Sequence, residues 1–265
     1  MPKTLKRQAP DPDVVRLQKL LSFNGYFNRR IPEHGIFDTI TFENVQMFQL
    51  QHLDKTGTPL SPDGVVGPKT WWALSHPSGQ DQKSHIKTEA PIGLTPVRAR
   101  LMDLILAEHA KPVFEVPDGA NRSPDIDGYW GGTGVIGAPW CCAFVSWALQ
   151  RILGVYPIQG RHHIGVQKMW QAASRLEMAA ASPKPGDLFI QIMSGGKGHT
   201  GFVIGMPPSG DIVYTCEGNC GNRLKVGQRP LSSIHHFVDC IRDGQAEDFS
   251  RKTLEIDPPG GGGTR

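Results

Sequence analysis

The sequence predicts an α+β chain of two units: a small three-helix module, then a larger domain in which helices pack on an antiparallel sheet. Three observations carry this. Apolar residues recur at helical spacing in three short segments before residue 75. A stretch rich in Ser, Gln, Asp, Lys, His and Pro, 76–91, then separates those segments from the rest. Beyond it, helical spacing persists to about Leu176 and gives way, past Pro183-Lys-Pro-Gly186, to short β runs.

The first unit spans 11–75, after a tail of residues 1–10. Val14, Leu17 and Leu21 share one helical face, Val45 and Phe48 share a second, and Trp71 with Leu74 opens a third short helix. Within it lies a small repeat. Gly35-Ile-Phe-Asp-Thr-Ile-Thr41-Phe42 echoes Gly64-Val-Val-Gly-Pro-Lys-Thr70-Trp71: a glycine turn, two apolar residues, a helix start, then Thr and an aromatic. Pro68 suits a first helical position, because the N–H it lacks would be unpaired there anyway.

The second unit is expected over 92–244. A helix starts near Thr95, with Val97, Leu101, Leu104 and Ile105 on one face; a short one lies within Asn121 to Trp130, started near Pro124; another is expected over Arg161 to Leu176. The β runs are Asp187 to Ile192, Thr200 to Met206 and Ile212 to Glu217, with a further one around His236 to Ile241. The glycine-rich end, 245–265, can bury nothing and is expected to be flexible.

Composition removes several classes of function. With 28 basic against 25 acidic residues and no dense Lys/Arg run, the charge does not point to nucleic acid. No stretch approaches the roughly 20 apolar residues of a membrane span, and the N-terminus lacks the apolar core of a secretion signal. Five cysteines cannot all pair internally, so at least one reads as a working thiol.

That thiol is placed by Ala138-Pro-Trp-Cys-Cys-Ala-Phe-Val-Ser-Trp-Ala-Leu149. Pro139 ends what precedes it, and Phe144, Val145, Ala148 and Leu149 recur at helical spacing, so a buried helix begins at Cys141. Unpaired amides and the positive end of the dipole at a helix N-terminus favour thiolate over thiol. A cysteine nucleophile also needs a base and a group to orient the base. His199, after the Gly195-Gly-Lys-Gly198 loop, is the candidate base; Glu217 and Asn219, two apart at the end of the next run, are the candidate orienting groups. The runs are joined by Pro207-Pro-Ser-Gly210. A three-residue loop sets His199 opposite Glu217 and a five-residue loop sets it opposite Asn219, whereas a regular four-residue loop sends them to opposite faces. The reading therefore requires an odd loop or a compensating bulge.

Two resemblances follow from these residues. Val15-Arg-Leu-Gln18, Leu21, Gly25-Tyr26, Phe48-Gln49, Asp63-Gly-Val-Val-Gly67 and Thr70-Trp-Trp-Ala-Leu74 resemble the peptidoglycan-binding module of bacterial wall hydrolases. Asn121-Arg-Ser-Pro124, the Cys141 segment, Pro185-Gly-Asp187, Gly198-His-Thr-Gly-Phe-Val-Ile204 and Glu217-Gly-Asn219 resemble the CHAP family of cysteine/histidine-dependent amidohydrolases and peptidases, within the papain-like group. The resemblance implies Cys141 as nucleophile, His199 as base, and Glu217 and Asn219 as the polar positions that hold the histidine; Cys142 falls where the family commonly has a small residue. It implies peptidoglycan as partner, cleavage of a stem-peptide amide and no cofactor. Without a leader, such an enzyme is expected to reach the periplasm or wall of a target bacterium as a phage-type lysin or an injected effector. An effector would have secretion machinery and an inhibitor protein as further partners.

Alternatives share some of these residues. Cys216, Cys220, His199, His162-His163 and His235-His236 are potential zinc ligands, but no C-x-x-C is present and adjacent histidines in a strand point apart. Sequence position also allows Cys216 to pair with Cys220 or with Cys240. A non-catalytic wall binder, or an acyltransferase or deamidase acting on a protein, uses the same scaffold.

Overall fold

The computed structural model describes residues 4–7, 11–24, 26, 34–56, 58, 60–76, 94–193, 196–206 and 210–242. The expected linker, except for His76, and the C-terminal tail 245–265 lie outside them.

Three helices make the first unit: α1 (Pro12–Phe23), α2 (Thr39–Gln51) and α3 (Pro68–Ser75). Asp11 caps α1 by accepting from Asp13 N–H, and Asp38 caps α2 by accepting from Thr41 N–H at 2.8 Å. Val14, Leu17, Leu21, Val45, Phe48, Trp71 and Leu74 bury together as the helical spacing requires. Leu5, within the segment read as a tail, pairs with Val66 and is buried in the same core.

The repeat has a structural basis that reaches beyond the glycine turns. Gln18 accepts from Gly35 N–H and donates to Ile36 O and Thr41 Oγ1; Gln49 accepts from Gly64 N–H and donates to Val65 O and Thr70 Oγ1. Each buried glutamine thus ties a turn to the helix that follows it. His34 and Asp63 play one role in the two copies, accepting from the amide two residues on.

The second unit contains α4 (Pro96–His109), α5 (Pro124–Tyr129), α6 (Cys141–Leu153) and α7 (Val166–Arg175). Its six-stranded antiparallel sheet is built from β1 (Ala179–Ala180), β2 (Leu188–Ile192), β3 (Gly198–Gly205), β4 (Ile212–Glu217), β5 (Lys225–Pro230) and β6 (His236–Val238), in the order β1-β6-β2-β3-β4-β5. The fold is therefore α+β, as the order of helices and strands predicted. The helix expected from Arg161 starts instead at Val166, because Gly165 is its extended N-cap. The strand expected to reach Ile241 ends at Val238, where the Asp239 carboxylate turns the chain by accepting from the Ile241 and Arg242 amides.

Helices cover one face of the sheet. Leu101, Ile105, Phe144, Val145 and Leu149 pack there against Leu188, Ile190 and Phe202, each fully buried side chain contributing about 1.5–3 kcal/mol relative to exposure. Phe189, Val203, Val213 and Phe237 form a smaller cluster on the other face. Arg98 of α4 is buried between Asp187 and Asp239, 2.8 Å from each, and so fastens α4 to the sheet.

The two units are in contact. Cys220, just past β4, is buried in the core of the first unit, and the Lys225 ammonium lies 4.0 Å from the centre of the Tyr26 ring. Ile40 of α2 packs onto Gly119 so closely that a Cβ there would sit 2.7 Å from its Cδ1. Among the described residues no helix is long and apolar enough to cross a membrane.

Candidate active site

The site is built where the start of α6 meets one end of the sheet. Trp140 is the N-cap of α6, fixed by its indole N–H donating to the buried Glu115 carboxylate at 3.0 Å. The first intrahelical bond runs from Phe144 N to Trp140 O, which leaves the amides of Cys141, Cys142 and Ala143 unused by the helix ladder. Gly154, in the left-handed conformation, closes the other end.

His199 is the second residue of β3, an interior strand of the sheet, and lines one cleft with Cys141 at the start of α6. The β3–β4 ladder pairs Phe202 with Cys216 and Val203 with Thr215, then shifts by one residue at a bulge between Val203 and Gly205. On the His199 side of the bulge the register is that of a five-residue loop. It places Gly201 opposite Glu217, with His199 diagonal to Glu217 on the same face. Gly201 makes the diagonal possible: a Cβ there would lie 2.9 Å from Glu217 Cγ and 2.8 Å from Cys216 O. Gly218 does the same between sheet and helix, since a Cβ there would lie 2.7 Å from Phe144 Cβ and 2.9 Å from the Trp140 ring.

The side chains meet accordingly. His199 Nε2 is 2.9 Å from Glu217 Oε2, which leaves Nδ1 as the nitrogen for the Cys141 sulfur, and Cys141 and His199 line the same cleft. All three groups are buried. Asn219 is turned elsewhere: its amide accepts from Trp140 N–H at 3.3 Å and donates to Glu115 at 3.1 Å. Of the two expected orienting groups, Glu217 holds the histidine, whereas Asn219 braces the N-cap of the nucleophile's helix and lines the cleft.

Electrostatics favour the charged forms. For Cys141, the thiol of Cys142 acts most strongly by donating to its sulfur; burial opposes, His199 adds to the lowering, and the thiol is held well below its ordinary value of 9.0. Burial alone would depress His199, yet the bonds to Cys141 and Glu217 prevail and raise it above 6.5. Burial would likewise keep Glu217 protonated; the Arg229 guanidinium and His199 outweigh it and hold the carboxyl well below the usual carboxylate range.

Arg229 was not singled out by the sequence. It donates from Nε to Glu217 Oε1 at 2.7 Å and from Nη2 to Oε2, and Nη1 bonds Gln191 Oε1. Thr215 Oγ1 also donates to Glu217. β5, the strand that delivers Arg229, reads Lys-Val-Gly-Gln-Arg-Pro and shows no apolar alternation; its only signal is position, since it follows the turn after β4 and pairs with β4 along its length. Glu115, also missed, lies in an irregular stretch; burial raises its carboxyl pKa against the pull of its bonds to Trp140 and the Asn121 amide.

A CHAP domain model matches residues 133–219, a span that includes Cys141, His199, Glu217 and Asn219, and a peptidoglycan-binding domain model matches 10–74. The chain carries both domains. No curated protein and no solved structure matches it. The CHAP domain is generally a cysteine/histidine amidohydrolase, which supports a hydrolase here, and the N-terminal domain supports peptidoglycan as partner.

The other polar candidates of the CHAP domain have separate structural tasks. His162 Nε2 bonds Tyr129 O, His163 Nε2 bonds Ile158 O, His235 Nδ1 accepts from Ile192 N–H, and His236 stacks on Trp170 with ring centres 3.8 Å apart. Cys216, Cys220 and Cys240 are buried and not joined in disulfides, and burial pushes the pKa of Cys216 and Cys240 up. Among the described residues no group of three or more His, Cys, Asp or Glu is placed to hold a metal ion.

Proposed function

We propose that this chain is a cysteine-dependent peptidoglycan hydrolase that cuts an amide of the stem peptide, either the sugar-to-alanine amide or one within the peptide. The observation that carries it is the buried Cys141–His199–Glu217 chain at the N-terminus of α6, opening into a cleft of about 270 Å³ that Asn121 and Asn219 also line. The domain bounds 11–75 and 92–244 belong to the same proposal.

The chemistry follows from the groups present. The Cys141 thiolate attacks the amide carbonyl, and the oxygen that becomes negative is met by free amides at the start of α6. His199, as imidazolium, gives its proton to the leaving nitrogen, the C–N bond breaks, and an acyl-thioester remains on Cys141. Neutral His199 then takes a proton from water, hydroxide adds to the thioester, and the carboxylic acid departs as the thiolate is restored. Glu217 fixes the imidazole tautomer and stabilises the imidazolium throughout. Arg229, touching no reacting atom, is a positioning residue that keeps Glu217 ionised.

The proposed site of action is the periplasm or wall of a target bacterium, reached as a phage-type lysin or an injected effector. An effector would carry a dedicated inhibitor protein shaped to plug the Cys141 cleft.

Mass spectrometry of purified sacculi after digestion tests the reaction. One class of amide is expected to be opened, with a new carboxylate on one fragment and a new amine on the other. Release of fragments cut only at glycosidic bonds, or no release with retained sacculus binding, would overturn it in favour of another hydrolase or a plain binder.

A further inference from the structure

The catalytic cleft is not made by the CHAP domain alone. Opposite Cys141 and His199, its wall is formed by Glu43, Asn44 and Met47 of α2, from the peptidoglycan-binding domain. This placement is fixed by packing. Ile40 is pressed onto Gly119, Cys220 is buried in the core of the first domain, Lys225 sits over Tyr26, and α2 packs on β5. A module serving only as a tether needs none of these contacts.

The chemistry of that wall is also informative. Glu43 is the single charged residue of α2, and it is exposed at the cleft, 3.9 Å from Lys197 on the other side. An exposed ion pair at that distance contributes little to stability, so a ligand can open it at small cost. Met47 beside it offers a polarizable, adaptable surface.

Resting on the proposed hydrolase reading, we infer that α2 is part of the substrate site: the peptide arm of peptidoglycan lies between α2 and the Cys141–His199 edge, with Glu43 and Met47 touching it. The first domain then positions the scissile amide as well as attaching the enzyme to the wall. A carboxylate beside a thioether suits a peptide carrying an amino group, and it offers little to an uncharged glycan.

Soluble muropeptides, too small to gain from attachment to a wall, separate the two roles. Glu43→Lys and Met47→Asp are each expected to lower kcat/KM on a purified muropeptide about tenfold, the scale set by loss of one well-placed pocket contact. Lys55→Ala, on the exposed surface of the same domain and outside the cleft, is expected to leave it unchanged. Glu43 is exposed, so its variant folds; a thermal scan of Met47→Asp checks the half-buried position. Glu43→Lys and a folded Met47→Asp that both turn over the muropeptide like wild type would overturn the role of α2 while leaving the hydrolase intact. A wild type that cuts neither sacculi nor muropeptide would overturn the proposed reaction and this inference with it.

Discussion

Replacing Cys141 with alanine is expected to lower the rate of clearing of purified sacculi by about 10⁴-fold or more, because the nucleophile of a covalent mechanism has no substitute. Cys141 lines the cleft and lies outside the peptidoglycan-binding domain, so binding to sacculi by the variant should match wild type. The control is Cys142→Ala. That residue is buried in the helix core and serves Cys141 only by donating to its sulfur, so this variant should keep activity with a raised Cys141 pKa. Equal clearing by wild type and Cys141→Ala would refute the nucleophile assignment.

The second large effect concerns the pair behind the histidine. Glu217→Gln keeps the shape of the side chain but removes the charge that fixes the imidazole tautomer, and activity is expected to fall by about 10³–10⁴-fold. Arg229→Met acts on stability as well. It leaves the Glu217 carboxylate buried without its guanidinium, at a cost of about 3–5 kcal/mol, measurable by chemical denaturation. Combining the two substitutions removes both charges together and is expected to recover most of that stability, since a buried ion pair and a well-packed neutral pair of similar volume differ little. Activity should not return. A double variant as unstable as Arg229→Met alone would mean that Arg229 supports the sheet through Gln191 and packing on Phe189, and not through Glu217.

Helical periodicity made α1 to α6 legible, because each buries an apolar stripe and most open on a proline or a capping side chain. The hairpin was legible as a constraint: bringing His199 and Glu217 to one face required an odd loop or a compensating bulge, and a bulge lies between Val203 and Gly205. What stayed hidden depends on pairing across the chain. β5 is a strand because β4 offers it a ladder, so no local pattern points to Arg229. Glu115 belongs to no motif, yet it joins Trp140, the Asn121 amide and Asn219 around the start of α6. The docking of α2 across the cleft rests on contacts between residues nearly 80 or more apart, such as Ile40 with Gly119 and Tyr26 with Lys225, and no local pattern encodes them.

The shifts at Cys141 and His199 also set a window in pH. A depressed thiol pKa contributes stability that is present above 9.0 and lost as pH falls through the folded value; a raised imidazole pKa contributes stability present below 6.5 and lost as pH rises through its folded value. Both shifts favour the charged forms, thiolate on Cys141 and imidazolium on His199.

Alkylation of Cys141 by iodoacetamide as a function of pH, followed by peptide mapping, reads that state directly. The expected result is preferential modification of Cys141, with a rate that is still level well below pH 9. A rate for Cys141 that titrates with a midpoint near 9, as an ordinary thiol does, would contradict a nucleophile ionised by His199.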